Sequence, residues 1–350
     1  MTQPHFHFVS AHSPLHKERA MMDPLDITDK DQLMKMLEQS RKGKSRVIDQ
    51  EAMIRQLSYR VRGQDHIIQD LCRLIRLQWG KEQRGKPIAS LLFVGPPATG
   101  KTELAKAIAE YLFDDEKNML RFDCSEFSGV EGKTRLIGTP TGYSGAQQGG
   151  QLTRPMLSNP RRLVLFDEIE KAYSGLFDLM LSVMGEGRLT EQGSGKVADF
   201  TQAVIILTSN AEHEAIGRLA TQIDEPVALA SAVRSVLKDS GTFRPEIVSR
   251  FDQVFVFKPL DEEATSRIAA LKIIKASEEY GLKIKSIAPE IVHDILRSGG
   301  GEVDARELVR LVDSALGELL LRSKEMGYTS IAIAADEHRK PVATPVLSHC

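Results

Sequence analysis

GPPATGKT, residues Gly95 to Thr102, sets two glycines, a lysine and a hydroxyl at the spacing of a phosphate-binding loop. Its glycines let backbone N–H groups turn inward around phosphate oxygens, at the start of a helix whose dipole also favours an anion. In that frame Gly95, Pro96, Pro97, Ala98, Thr99 and Gly100 wrap the phosphates. Lys101 reaches the β- and γ-phosphates of a nucleotide, and the Thr102 hydroxyl holds Mg²⁺. A plain Gly-Pro turn is the competing reading; the apolar IASLLFV before the loop and the helical TELAKAIAEYL after it decide against that.

RRLVLFDEIEKA has the form of the other half of such a site, a buried strand that delivers two carboxylates at its C-terminal end. Asp167 is suited to orient Mg²⁺, and Glu168 to polarise the water that attacks the γ-phosphate. AVIILTSN ends a further apolar strand at Asn210, whose amide could hydrogen-bond that water or the γ-phosphate, or equally cap a helix. Spacing alone does not choose between these. GTPTGYSGAQQGG, residues 138 to 150, is too glycine-rich for a helix or strand, and by itself reads as an ordinary solvent turn.

These groups need a scaffold. At 350 residues the chain can bury a substantial core, and its 46 basic against 48 acidic residues leave a net charge of -2. Such a balance offers no bulk attraction to nucleic acid or to an anionic membrane. Cys72, Cys124 and Cys350 have no metal-ligand spacing and suit a reducing cytoplasm as inert thiols. No apolar run approaches a membrane span, so a cytoplasmic location is expected. The histidines at 5, 7, 12 and 16 lack the supporting ligands of a metal site and read as part of a disordered arm. Leu33, Met36 and Leu37 share one helical face within that arm.

Beyond the arm, apolar strand candidates alternate with amphipathic helices, including one from Ala172, which predicts a parallel sheet covered by helices. After DQVFVFKPL the chain turns to charged helical segments near 261–280, 288–298 and 305–325, closed by one short strand candidate, SIAIA. The expected division is a flexible arm over 1–44, a large α/β domain over 45–259, a small helical domain over 260–335 and a tail over 336–350.

In order along the chain, VRGQDHII, GPPATGKT, FDCSEF, TRLIGTPTGYSG, GGQLTRPM, LVLFDEIEKA, EGRLTEQGSGKVADF, AVIILTSN, FRPEIVSRFD and VDARELVR resemble AAA+ ATPases of the Clp type, in particular the second ATPase module of the ClpB and ClpA unfoldases. The resemblance covers roughly residues 55 to 330. It implies an α/β fold, a P-loop AAA+ parallel sheet flanked by helices and followed by a small mostly helical domain, with ATP and Mg²⁺ as cofactors. By the same likeness Val61, Gly63 and Gln64 of VRGQ line the adenine pocket, Asn210 is the sensor-1 residue and Arg306 the sensor-2 residue. Arg250 is then an arginine finger serving a neighbour's nucleotide, which implies a homo-oligomeric ring, usually of six. A surface pairing of Arg250 with Asp252 or Glu246 is the alternative.

The likeness also gives GYSG a task. Gly142, Tyr143, Ser144 and Gly145 would form a loop in the central channel, where Tyr143 grips an extended polypeptide, and EGRLTEQGSGKVADF a second pore-facing hairpin. An aromatic face suits many side chains without demanding a sequence. Ser144 departs from the apolar residue usual there, and Asp304 from the glycine usual before the sensor-2 Ala-Arg. The expected function is an ATP-driven motor that unfolds or remodels a restricted polypeptide client, with an adaptor meeting the N-terminal arm. Without a first ATPase ring or a coiled middle domain, general disaggregation is not implied. The tripeptides IGR (216–218) and LIG (136–138) make poor docking signals for a Clp peptidase, so none is expected. The alternatives are a nucleic-acid-handling AAA+ ATPase, or an assembly switch with little turnover.

Overall fold

A computed structural model describes residues 47–299 and 306–346. The arm with its histidines and its apolar helical face, Asp304 and Cys350 lie outside the described residues. Five strands form one parallel sheet: β1 (Ala89–Val94), β2 (Met119–Asp123), β3 (Leu163–Asp167), β6 (Val204–Ser209) and β7 (Gln253–Val256), in the order β2-β3-β6-β1-β7. Every residue of β1, β3 and β6 is buried, as expected of parallel strands covered on both faces.

Strand periodicity divides the core. Leu92, Val94, Val164, Phe166, Ile205 and Leu207 face one apolar cluster, while Leu91, Phe93, Leu163, Leu165, Val204 and Ile206 face another on the opposite side of the sheet. The helix Lys101–Phe113 covers the second face through Leu104, Ala105, Ile108 and Leu112. The helix Leu176–Glu186 covers the first face through Leu179, Met180 and Val183. It starts four residues later than the expected Ala172, because a 3-10 turn over Ile169–Lys171 comes first.

Strand order brings three chain ends together. β6 lies between β1 and β3, with Val94 level with Ser209 and Phe166 level with Leu207. The phosphate loop after β1, the carboxylates ending β3 and Asn210 after β6 therefore share one sheet edge. A separate antiparallel hairpin, β4 (Arg188–Thr190) with β5 (Val197–Asp199), precedes β6.

A third apolar cluster is built from the helices Glu262–Glu279, Pro289–Ser298 and Glu307–Glu325 and a small sheet. Three strands form that sheet, where one was expected: β8 (Lys283–Ile287) and β9 (Ser330–Ala335) run parallel, and β10 (Pro341–Pro345) adds antiparallel to β9. Residues 341–345, expected in a tail, are thus a paired edge strand. Its proline-bounded sequence hid a strand that depends on β9 for its hydrogen bonds.

Candidate nucleotide site

Gly95 leaves β1 at φ +138, and a Cβ there would lie 2.4 Å from the carbonyl oxygen of Phe257, so only glycine allows this close passage. The loop then delivers Lys101 into a nearly closed position, 7% exposed, where its Nζ donates to the carbonyls of Gly95 at 2.8 Å and Pro96 at 2.7 Å. Burial pushes the ammonium down to about 8, against the opposing pull of Asp167, Glu170 and Glu168; Arg306 adds to the lowering. A polyanion entering here meets an ammonium whose direct hydrogen-bond partners are two neutral carbonyls.

Asp167 is buried at the end of β3. Since Phe166 is level with Leu207, Asp167 falls beside Thr208, whose hydroxyl donates to Oδ1 at 2.5 Å. The Thr102 hydroxyl approaches the same carboxylate at 3.2 and 3.3 Å. Arg121, from β2, donates twice to Oδ2, at 2.7 Å from Nη2 and 3.1 Å from Nε. The next residue, Glu168, has φ +56, a conformation costly for a side chain with a Cβ. Its N–H donates to Thr208 Oγ1 at 3.0 Å. Its carboxylate is held from both sides, by Lys171 Nζ at 2.5 Å on Oε2 and by Asn210 Nδ2 at 3.3 Å on Oε1.

Asn210 therefore points at Glu168 and does not cap the following helix, His213–Gln222, whose first turn has no side-chain cap. Its Oδ1 is buried without a hydrogen-bond partner. An orphaned acceptor beside a carboxylate fits a water molecule donating to both. Together with the paired oxygens of Thr102 and Asp167, which suit a hard divalent cation, and with Lys101, these groups fit a magnesium–nucleoside triphosphate.

A cleft of about 630 Å³ joins these groups. Val61, Pro97, Ala98, Thr99, Gly100, Lys101, Thr102, Asp167, Glu168, Asn210 and Arg306 line it, with Ile268, Leu271 and Lys275 of the helix Glu262–Glu279 opposite. Gly95 and Pro96 meet it through the carbonyls that hold Lys101. Gly63 and Gln64 are not on its wall. A Cβ on Gly63 would lie 2.8 Å from that of Ala264, and the buried Gln64 amide is spent on Lys258 O at 2.8 Å and Lys258 N at 3.2 Å. Both residues brace the cleft instead of facing it.

Two expected residues lie elsewhere. Arg250 is exposed, outside the cleft of its own chain, with Nη1 3.0 Å from the Cβ position of Gly185. Asp252 pairs with Lys86 at 2.7 Å, and no ion pair joins Arg250 to Asp252 or Glu246. Tyr143 is 71% exposed, with Gly142, Ser144 and Gly145 exposed beside it.

Sequence reasoning missed Arg121, Thr208 and Lys171 as groups of this site. An arginine inside NMLRF, a threonine ending an apolar strand and a lysine three residues after Glu168 were the available signals.

Residues 86–254 match the family described as AAA domain (Cdc48 subfamily). Chaperone protein ClpB of Streptomyces albus G is 37% identical over 270 residues, covering 76% of this chain and 31% of the relative. Chaperone protein ClpB of Pseudomonas putida is 35% identical over 308 residues, 85% of this chain and 34% of the relative. Chaperone protein ClpB 1 of Parasynechococcus marenigrum is 41% identical over 218 residues, 62% of this chain and 25% of the relative. The chain spans about a third of the length of the curated relatives it matches.

Proposed function

The chain belongs to the AAA+ ATPases of the Clp type, and from that premise we propose that it hydrolyses ATP with Mg²⁺ and spends the turnover on remodelling a polypeptide threaded through a ring of its own copies. The observation that carries the ATPase half is the convergence of Lys101, Thr102, Asp167, Glu168 and Asn210 on one cleft. Lys101 exchanges its two loop carbonyls for phosphate oxygens. Thr102 and Asp167 would hold the cation, which when bound would supply charge neutralisation to the phosphates. Asn210 Oδ1 positions the attacking water, and Glu168, fixed between Asn210 and Lys171, takes its proton.

Arg250 supports the ring. A guanidinium without an ion pair among the described residues, outside its own cleft, is consistent with service to a neighbour's phosphates. Arg306, beginning the helix Glu307–Glu325, joins the third cluster to the nucleotide and is the expected reporter of its state. Tyr143, exposed between exposed glycines, supports the grip on a client. Among the described residues no helix is long and apolar enough to cross a membrane.

The test is ATPase activity of the wild type and of Tyr143→Ala with and without an unfolded protein such as casein, while oligomer size is followed in ATP. Stimulation of a ring-sized wild type that is lost in Tyr143→Ala, with basal turnover kept, is expected. Turnover indifferent to both casein and Tyr143→Ala would remove threading, and nucleic-acid handling or an assembly switch would take its place.

A further inference from the structure

Glu191 carries a buried carboxylate, 4% exposed, far from the phosphate chemistry in role and outside the lining of the nucleotide cleft. It is the first residue after β4, where the hairpin's connecting turn begins, and there its N–H donates to Lys196 O at 2.8 Å and its carbonyl accepts from Gly195 N at 2.9 Å. One carboxylate oxygen, Oε2, accepts from Ser194 N at 2.9 Å and from the Ser194 hydroxyl, both in its own hairpin. The other, Oε1, accepts from Gly150 N at 3.1 Å, at the far end of the Tyr143 loop. An anion this covered is tolerated because every donor it meets is a main-chain N–H or a hydroxyl aimed at it. Those donors hold its carboxyl below the usual range, Ser194 contributing most.

The backbone is shaped around this group. A Cβ on Gly149 would lie 2.7 Å from Glu191 Oε1, and the φ of +70 there favours glycine as well, so glycine lets the loop close on the carboxylate without displacing it. Three further contacts join the same two segments. Gln192 N donates to Ile137 O at 2.8 Å and Thr141 Oγ1 to Gly193 O at 3.3 Å, while a Cβ on Gly193 would meet Ala146 O at 2.3 Å. Between them lies a cleft of about 1050 Å³ whose walls include Tyr143, Gln148, Arg154, Glu191 and Lys196. Beyond β5 the chain turns through Phe200, buried in the core, and enters β6, the strand that carries Thr208 and leads into Asn210.

We propose that Glu191 is a positioning residue whose carboxylate clamps the Tyr143 loop to the β4–β5 hairpin, so that both move as one body anchored through β6. The clamp rests on the threading reading for its use, but its existence does not. Without it the loop keeps its aromatic residue and loses the part against which that residue pulls. Replacing one carboxylate oxygen by an amide nitrogen sets a donor against a donor, because Oε1 and Oε2 both accept from N–H groups.

The experiment compares full-length wild type, Glu191→Gln, Glu191→Asp, Ser194→Ala and Tyr143→Ala by hydrogen exchange and by casein-stimulated ATPase. In Glu191→Gln the amides of Gly150 and Ser194 are expected to exchange about ten-fold faster, while those of β1, β3 and β6 keep their protection. Basal ATPase stays at the wild-type level. Maximal stimulation falls by about three-fold or more at an unchanged half-saturating casein concentration, whereas Tyr143→Ala raises that concentration. Glu191→Asp, which keeps the charge, recovers part of the loss, and Ser194→Ala shows a smaller version of it. Unchanged exchange at Gly150 and Ser194 in Glu191→Gln overturns the clamp, as does full stimulation despite loosened amides. If casein fails to stimulate even the wild type, threading fails instead, and the clamp is still decided by the exchange of those two amides.

Discussion

The nucleotide cleft and the Tyr143 loop are built on opposite plans. In the cleft the two carboxylates are committed: Asp167 meets Thr208, Thr102 and Arg121, and Glu168 is gripped by Lys171 and Asn210. On the loop, residues 141–145 are exposed, and Tyr143 is left 71% exposed among the described residues. The contrast follows from what each has to recognise. Developing charge on a phosphate needs dipoles fixed in advance, because reorganising them during the reaction costs the rate enhancement. An unfolded chain presents a different side chain at each step, so a gripping residue works by being free to pack on any of them. Fixed order gathers where the loop meets the hairpin, at Glu191 and at Thr141.

The largest effect should come from breaking the cleft alone. Glu168→Gln keeps the shape and the acceptor facing Asn210 but cannot take a proton. Turnover is expected to fall by about 10²–10⁴-fold with nucleotide affinity within a few-fold of wild type. Steady-state ATPase and binding of a fluorescent ATP analogue separate the two. If the regions are as distinct as described, casein binding survives in this variant; its loss together with turnover would mean the loop depends on the state of Glu168.

A second prediction concerns charge. Lys101 sits at about 8 in the nucleotide-free cleft because burial disfavours its charged form. Phosphates bind the protonated side chain, so binding raises its pKa. Nucleotide affinity is therefore fully present below that value and falls as pH rises through it, by up to about ten-fold per unit. Measured from about pH 7.5 to 9.5, the wild type should weaken steadily, whereas Lys101→Arg, still charged, should give a weaker but flatter profile. A flat wild-type profile would show that Lys101 keeps its proton despite its burial. Polypeptide binding at Tyr143 should be indifferent to the same range.

How much of this was legible depends on whether the partners are neighbours in sequence. The phosphate loop is, because its turn, its lysine and its hydroxyl lie within eight residues and their conformations are set locally by glycine. The sheet is also legible, since strands buried on both faces are continuous apolar runs. Asn210 was ambiguous between a helix cap and a partner of the attacking water or γ-phosphate, because what decides it is Glu168, forty-two residues away across β3 and β6. Thr208 and Arg121 were missed for the same reason: only strand order and register bring them to Asp167. Gln64 was expected at the adenine by the family likeness of its motif, yet its amide is satisfied by Lys258, 194 residues later. Glu191 gave no signal at all, as a carboxylate in a glycine-rich hairpin reads as solvated until Gly150 closes over it.

Arg121 offers the finest test of the contrast, because it holds a buried carboxylate of the cleft while itself half open to solvent. Its side chain is 47% exposed, yet two of its donors engage Asp167 Oδ2, on the carboxylate that Thr102 also approaches and that is expected to face Mg²⁺. A guanidinium and a divalent cation then compete for one carboxylate, and the metal must displace part of the pair. Solvent screening keeps such a pair weak, so Arg121→Gln should lower the Mg²⁺ concentration giving half-maximal nucleotide binding by only about three-fold. Titrating Mg²⁺ against a fluorescent ATP analogue reads this directly, without turnover. A midpoint that rises would give Arg121 the opposite role, holding Asp167 ready for the metal. An unchanged midpoint would mean that the pair dissolves at no cost, and that the fixed part of the cleft ends at Thr208.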